Sequence, residues 1–209
     1  MVKEVWPYLT AGVALTALLA AAGWTAAAAA GAILTLAVAS FFRDPRRPVP
    51  SDPRLILSPA DGRVVKIAEE PDPSTGGGVV SIFLSVLNVH VNRAPAAGRI
   101  AAVHYTPGAF LPAFREKASA LNEQNLIRME TELGPMAVKQ IAGLIARRIR
   151  CWKGTGDVVT QGEKIGFITF GSRVDLHLPA GVAVKVRVGD RVRGGTSVVA
   201  VREQAGDGR

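Results

Sequence analysis

The pair Gly171-Ser172, inside the apolar stretch Phe167 to Leu176, is one of the few dipeptides that can cut its own backbone. A serine hydroxyl reaches the preceding carbonyl through a five-membered ring, and glycine before it adds no bulk and tolerates strained backbone. Held in a near-attack geometry, such an intramolecular step gains a large effective molarity. On its own a Gly-Ser pair between strands reads as a turn, and Gly171-Ser-Arg-Val174 lacks the Gly-x-Ser-x-Gly pattern of a hydrolase elbow. Two further residues change the balance. Asp61 in Ser58-Pro-Ala-Asp-Gly62 reads first as a turn-capping carboxylate, and His90 in Asn88-Val-His-Val-Asn-Arg-Ala-Pro95 reads first as a structural histidine. Together, Asp61, His90 and Ser172 supply an orienter, a base and a nucleophile, a triad recognised by role rather than by chain order. The same three residues would also suit a serine peptidase, which keeps a free serine and an intact backbone at this bond.

Positioning these residues requires short strands. Leu55 to Leu57 and Val64 to Ala68 flank the turn Pro59-Ala-Asp-Gly62, and Val79 to Val86 and Ile100 to Tyr105 read as further strands. Ser74 to Gly78 reads as a loop by composition, without the Lys-Ser/Thr of a P-loop. Ala109 to Gln124 admits either loop or one helical turn. Gly156-Asp-Val-Val-Thr-Gln-Gly162 recurs as Gly189-Asp-Arg-Val-Arg-Gly-Gly195, each copy leading into a β run, Ile165 to Phe170 and Ser197 to Val201. Such a turn is similar to those of lipoyl- and biotinyl-type barrel sandwiches, but no lysine stands where the swinging arm would attach. The predicted fold is mainly β, barrel-sandwich-like and built of antiparallel hairpins, behind an N-terminal hydrophobic helical hairpin.

That hairpin follows from charge. Of 209 residues with a formal charge of +8, the 38 between Glu4 and Arg43 include no Asp, Glu, Lys, Arg or His, and 14 of them are alanine. As one helix they would run about 57 Å, against a bilayer core of about 30 Å, so two helices breaking near Gly23-Trp24 are expected. The run is also more than twice the roughly 7–15 residues of a signal-peptide core. Small residues suit close helix packing. Arg43-Asp-Pro-Arg-Arg47 favours a cytoplasmic exit, which places the soluble part on the cytoplasmic side of a cell membrane. The expected organisation is therefore a membrane segment over 1–43, a proline-rich linker over 44–54 and a β-rich domain over 55–209. Charged residues at 20% and hydrophobic ones at 48% exclude wholesale disorder. The single cysteine, Cys151, excludes a disulfide framework, and the three histidines leave few options for a metal, so none is expected. Five cations without a carboxylate between Glu132 and Asp157 (Lys139, Arg147, Arg148, Arg150, Lys153) would suit an anionic phospholipid, and the membrane segment argues against nucleic acid.

Five ordered motifs then carry a resemblance. Ser58-Pro-Ala-Asp-Gly, His90-Val-Asn-Arg-Ala-Pro, Lys117-Ala-Ser with Asn122-Glu123, Gln140 to Ile149, and Phe170-Gly-Ser-Arg-Val174 resemble the short bacterial and archaeal form of the phosphatidylserine decarboxylase proenzyme, over roughly residues 41–201. The resemblance implies that Ser172 attacks the Gly171 carbonyl and that the chain breaks into a β chain (1–171) and an α chain (172–209), which stay together as a heterodimer. Residue 172 would become a covalent pyruvoyl group, which forms a Schiff base with the serine amine of the phospholipid and accepts the electrons left by CO2 loss. Asp61 would orient His90, and His90 would take the Ser172 proton and later protonate the carbanion. The sequence departs from longer members at Arg93, where they carry a second histidine, and Arg93 is expected to face substrate carboxylate or phosphate. No role follows for Asn122-Glu123, and His104 and His177 read as structural. An ether-lipid substrate, archaetidylserine, fits equally well. A non-enzymatic membrane adaptor with a lipoyl-like domain is the alternative of another class, but the long heptad hairpin it needs is missing.

Overall fold

The computed structural model describes residues 1–112, 118–144, 148–169 and 171–203. Lys117, Arg147 and Phe170, which belong to the motifs and charge run above, lie outside the described residues. The chain divides into two compact units, Met1–Arg46 and Arg47–Arg209.

In the first unit, helix α1 (Trp6–Ala21) and helix α2 (Thr25–Phe41) are joined through Gly23, whose φ of +79° is open to glycine at little cost. The break expected near Gly23-Trp24 is therefore where the chain turns. The helices pack through two reciprocal contacts. A Cβ on Gly12 would lie 2.5 Å from Thr35 Oγ1, and one on Gly31 would lie 3.0 Å from Thr16 Oγ1. Each threonine hydroxyl in turn donates to the carbonyl four residues back on its own helix, which satisfies it without a partner outside that helix. Leu15, Leu18, Ile33, Leu34 and Leu36 are exposed. Lys3–Ala21 is long and apolar enough to cross a membrane by length and composition.

The second unit is antiparallel β. Its elements are β1 (Leu55–Leu57), β2 (Gly62–Ala68), β3 (Gly76–Leu84), β4 (Val91–Arg93), β5 (Gly98–Thr106), the short helix α3 (Ala118–Leu121), β6 (Gln124–Thr131), β7 (Gly134–Ala142), β8 (Ile149–Cys151), β9 (Val158–Val159), β10 (Lys164–Ile168), β11 (Ser172–Pro179), β12 (Val182–Val184), β13 (Arg191–Val192) and β14 (Val198–Arg202). The large sheet runs β13-β2-β3-β11-β7-β6-β5-β9, and two three-stranded sheets, β4-β10-β8 and β1-β14-β12, complete the fold. The mainly β architecture with a helical pair in front agrees with the sequence reading.

The sequence repeat has a structural counterpart. Gly156 and Gly162 adopt φ of +95° and +75°, and Gly189 and Gly195 adopt +102° and +71°. Asp157 Oδ2 accepts from Gly154 N–H at 2.9 Å, and Asp190 Oδ2 accepts from Arg187 N–H at 2.8 Å. Each turn then exchanges two backbone hydrogen bonds with a bulged position, Ile100 in β5 for the first copy and Val64 in β2 for the second. The two copies thus close opposite edges of the large sheet, and each leads into the middle strand of a small sheet.

Two expectations need correction. Gly76–Gly78 belongs to β3 rather than to a loop, because the glycines let three backbones approach: a Cβ on Gly77 would lie 2.3 Å from Pro179 O, and one on Gly78 would lie 2.4 Å from Ala68 O. Between Ala109 and Gln124, where the sequence admits loop or one helical turn, the described residues form one short helix, α3, and an isolated bridge from Ala109 to Asn122. Second, the five-cation run is not uniformly turned toward an anionic lipid. Lys139 is half-buried and donates to Ser119 O at 2.6 Å, and Lys153 pairs with Glu163.

Asp72 holds the β2–β3 connection to the sheet through His177 Nδ1 at 3.0 Å, and within the connection it accepts from the Ser74 hydroxyl. Burial raises its carboxyl pKa, but the bonds from Ser74 and His177 outweigh that and bring it down to about 2. A depressed carboxyl contributes stability that is complete above its unfolded pKa, near 4, and is lost as pH falls toward 2. Asp72→Asn should therefore lower the denaturation midpoint at pH 6 and converge with the unsubstituted protein near pH 2, as urea titrations across that range would show.

Candidate functional site

The site is built at the start of the central strand. β11 pairs with β3 on one edge and β7 on the other, so that Ser172 stands opposite Leu84 and Ala142. Strand alternation sends Ser172, Val174 and Leu176 into the core and Arg173 and Asp175 to the other face. Ser172 is fully buried, and its Oγ has no hydrogen-bond partner among the described residues. An unsatisfied buried hydroxyl costs roughly 1–3 kcal/mol, which makes this atom an exception that demands an explanation.

Gly171 precedes it with φ of +63°. A Cβ there would meet nothing within 4 Å, so the backbone conformation and not the available space favours glycine. The Gly171 N–H donates to His90 Nε2 at 3.3 Å, while His90 Nδ1 lies 2.9 Å from the Asn88 carbonyl. A carbonyl can only accept, so this partner assigns the proton to Nδ1 and leaves the Nε2 lone pair directed at the glycine. The ring is fully buried and stands edge-on to Phe167, and the His90 carbonyl accepts from Ile168 N–H. The structure therefore brings His90 to the Gly171-Ser172 pair.

Asp61 stands elsewhere, and the expected Asp61–His90 hydrogen bond is replaced. Its Oδ2 binds Arg47 at 2.6 Å and its Oδ1 accepts from Gly194 N–H at 2.8 Å. The physical reason is local: Asp61 sits in the turn between β1 and β2, which faces the second repeat turn, and both of its oxygens are used there. Orientation of the imidazole falls to the Asn88 carbonyl, which carries no side-chain signal in sequence. Arg93 is also corrected. It is buried, donates to Gly162 O at 3.0 Å, and packs its Cδ against Gly195, so it ties the two repeat turns together instead of facing a substrate.

Asn122 acquires a task. Its amide donates to Leu111 O and to Ala142 O and accepts from Leu111 N–H, and Glu123 O accepts from Ala142 N–H. This clamps the end of β7, directly opposite Ser172. Next to it runs a line of buried amides: Asn125 donates to Gln140 at 2.9 Å and Gln140 donates to Asn92 at 2.8 Å. On the other face, Arg173 forks onto Asp175 at 2.6 and 3.2 Å and reaches Ser81 at 2.7 Å, while Ser119 donates to Asp175 at 2.8 Å. A charged pair at alternate positions of an otherwise apolar strand was the available signal for this network. Among the described residues, no three His, Cys, Asp or Glu side chains gather as a metal site.

A family model described as phosphatidylserine decarboxylase matches residues 34–200. The chain is similar to the phosphatidylserine decarboxylase proenzyme of Burkholderia cenocepacia, at 42% identity over 205 residues, covering 97% of this chain and 96% of the relative. The proenzymes of Burkholderia multivorans, at 42%, and Burkholderia ambifaria, at 40%, match over the same shares.

Gly171→Ala should fold, since the space is open, yet hold the residue in a left-handed conformation at a cost of about 1–2 kcal/mol. Any chain cleavage at 171/172 should slow by about tenfold, on the order of that cost, in a time course read on denaturing gels. An unchanged rate would show that the left-handed glycine is not needed.

Proposed function

We propose a self-processing lipid decarboxylase on the premise of membership: the chain belongs to the phosphatidylserine decarboxylase family. The chain is an enzyme of that family, and its proposed reaction converts phosphatidylserine to phosphatidylethanolamine and CO2. The observation that carries the self-processing step is the buried, unpartnered Ser172 Oγ beside a left-handed glycine whose N–H meets His90 Nε2.

In the proposed cleavage, Ser172 Oγ bonds to the Gly171 carbonyl carbon and the Gly171–Ser172 C–N bond breaks. His90 Nε2, unprotonated in this tautomer, takes the hydroxyl proton and delivers it to the freed nitrogen. Loss of the Cα proton of residue 172 then expels the Gly171 carboxylate, and water replaces the resulting imine nitrogen, releasing ammonia. The product is a β chain of residues 1–171 and an α chain of residues 172–209 capped by a pyruvoyl group. The surroundings fit such a group: residue 172 is enclosed, and its hydroxyl gives up no hydrogen bond when it reacts. Its ketone, once formed, supplies the electron sink that decarboxylation needs.

The chain's own residues have the remaining work. Burial of residue 172 keeps bulk water from the reacting carbon, and His90 has the role of holding a proton for the carbon that loses CO2, a reading supported by its approach to Gly171. Asn122 keeps the β7 end in register opposite the reacting residue. Asp61 supports the site through the turn it anchors, by way of Gly194 and Arg47. The helical pair supports attachment to a cell membrane, with the β unit on the cytoplasmic side, where the substrate lipid is at hand.

Mature protein should contain a C-terminal fragment of the 38 residues from 172 to 209, blocked to Edman sequencing because its first residue has no amine. Ser172→Ala should leave one uncut, inactive chain, since it has no hydroxyl to attack with. His90→Ala should slow cutting by at least about 10²-fold, the usual contribution of a positioned base. Recovery of only full-length, unmodified chain from active membranes would overturn the mechanism.

A further inference from the structure

The exposed leucines of the second unit gather at one end of its large sheet. Among the described residues they are Leu87, Leu121 and Leu144, at 79%, 53% and 59% exposure. At that end β3 and β7 finish, and β11 and β6 begin. Leu87 follows Leu84 by three residues and Leu144 follows Ala142 by two, and Leu84 and Ala142 are the residues paired with Ser172. Both leucines therefore lie within about 11 Å of chain from a partner of Ser172, one on each side of it. Leu121 precedes Glu123 by two, and the Glu123 carbonyl accepts from Ala142 N–H.

These positions are held by their surroundings. Ser85 donates to Asn88 Oδ1 from its N–H at 2.9 Å and from its hydroxyl at 2.7 Å, which pins the turn carrying Leu87. The Leu121 carbonyl accepts from Ala109 N–H at 2.8 Å, and Asn122 next to it is tied to Leu111 and Ala142. A single exposed leucine needs no explanation, but three that ring one buried residue from three separate connections do. Charge is sorted along the same axis. The β2–β3 and β6–β7 connections, at the opposite end, carry Glu69, Glu70, Asp72 and Glu132 and no Lys or Arg. At the Ser172 end stand Arg148, whose carbonyl accepts from Thr169 N–H, and Arg193, which follows the Val192–Gly62 pair at the start of β2. Both are exposed, and among the described residues their guanidinium groups have no hydrogen-bond or ion-pair partner. The described carboxylates of this end are already committed: Asp61 binds Arg47 and Gly194, and Glu123 is buried beside Tyr105.

We propose that the Ser172 end of the second unit is a lipid-facing surface: Leu87, Leu121 and Leu144 enter the headgroup boundary of an anionic bilayer, and Arg148 and Arg193 meet its phosphates. The inference rests on the decarboxylase reading for its purpose, since a phospholipid whose tails stay in the bilayer offers its serine only at headgroup depth. It goes beyond that reading by naming the side chains that bring residue 172 to that depth. Leucines with basic neighbours suit this boundary, because the leucine buries among acyl chains while the guanidinium stays with the phosphates. Three leucines on separate connections do not form the close-packed apolar centre of a protein interface.

The test uses full-length protein with Cys151→Ser in phosphatidylcholine vesicles holding about 30% phosphatidylglycerol, an anionic lipid that the reaction does not consume. Leu87→Cys, Leu121→Cys and Leu144→Cys each carry one NBD fluorophore, and the control is Val158→Cys, 65% exposed on β9 beside the start of β5 at the opposite end. Quenching by lipids bearing a nitroxide near the headgroup should be at least about threefold stronger at the leucine positions than at 158. Omitting phosphatidylglycerol should weaken that quenching, and an unchanged signal would overturn the role of the arginines. Equal quenching at all four positions, or none at the three, would overturn the surface. So would labels shielded from aqueous iodide but untouched by the nitroxide lipid, which is contact with protein. The 38-residue fragment and turnover of monomeric dihexanoyl phosphatidylserine are followed in parallel. Quenched but uncut and inactive protein would strike the decarboxylase reading and support the surface, and cut, active protein without quenching would do the reverse.

Discussion

The pairing of β11 on both of its edges is the interaction on which the site depends. With β3 on one side and β7 on the other, the backbone of Ser172 to His177 has no freedom to slide, because a one-residue slip would turn Val174 and Leu176 out of the core and Arg173 and Asp175 into it. Ser172 is therefore held at a defined depth, and Gly171 leads into it with a left-handed backbone. The same pairing gives the proposed cut a benign consequence. A chain beginning at residue 172 would remain stitched into the middle of the large sheet, and β14 would remain between β1 and β12.

Around that strand the two repeat turns are nearly equivalent, and they differ in the side chains they carry. The two glycine-bounded turns use the same aspartate cap and the same pair of backbone bonds to a bulged strand. Arg93 and Asp61 are the side chains that join these turns to the rest: one reaches Gly162 and packs on Gly195, the other accepts from Gly194. The second copy carries arginines in its turn where the first carries Val158 and Thr160. The scaffold is thus common to both turns, and the arginines belong to one.

Two polar networks flank Ser172, one on each face of the sheet. The amides of Asn125, Gln140 and Asn92 lie on the core side, and Arg173, Asp175, Ser81 and Ser119 lie on the other. Buried polar groups of this kind contribute little net stability but tolerate few alternative arrangements. They leave Ser172 Oγ as the unsatisfied hydroxyl of the strand's inner face.

The apolar, uncharged run before Arg43, the alternation of the strands and the recurrence of Gly-Asp-x-Val-x-x-Gly determined, without any coordinates, a helical pair and an antiparallel β unit with two equivalent turns. These features are periodic or repetitive, and periodicity survives in one dimension. That His90 and Gly171-Ser172 belong together was legible for a related reason, since residue type singles them out and their strands announce themselves. What only the tertiary structure decided is who partners whom. Asp61 reads as the orienter of His90, yet its turn faces Gly194 and Arg47, and a backbone carbonyl at Asn88 does the orienting. Arg93 reads as a ligand for substrate and is instead buried against Gly162, while Arg191 and Arg193, unremarked inside a repeat, are the guanidinium groups left without partners. The carbonyl that holds an imidazole is the same in every residue, and a charge is committed or free according to what folds against it, so neither property is written in the order of the chain.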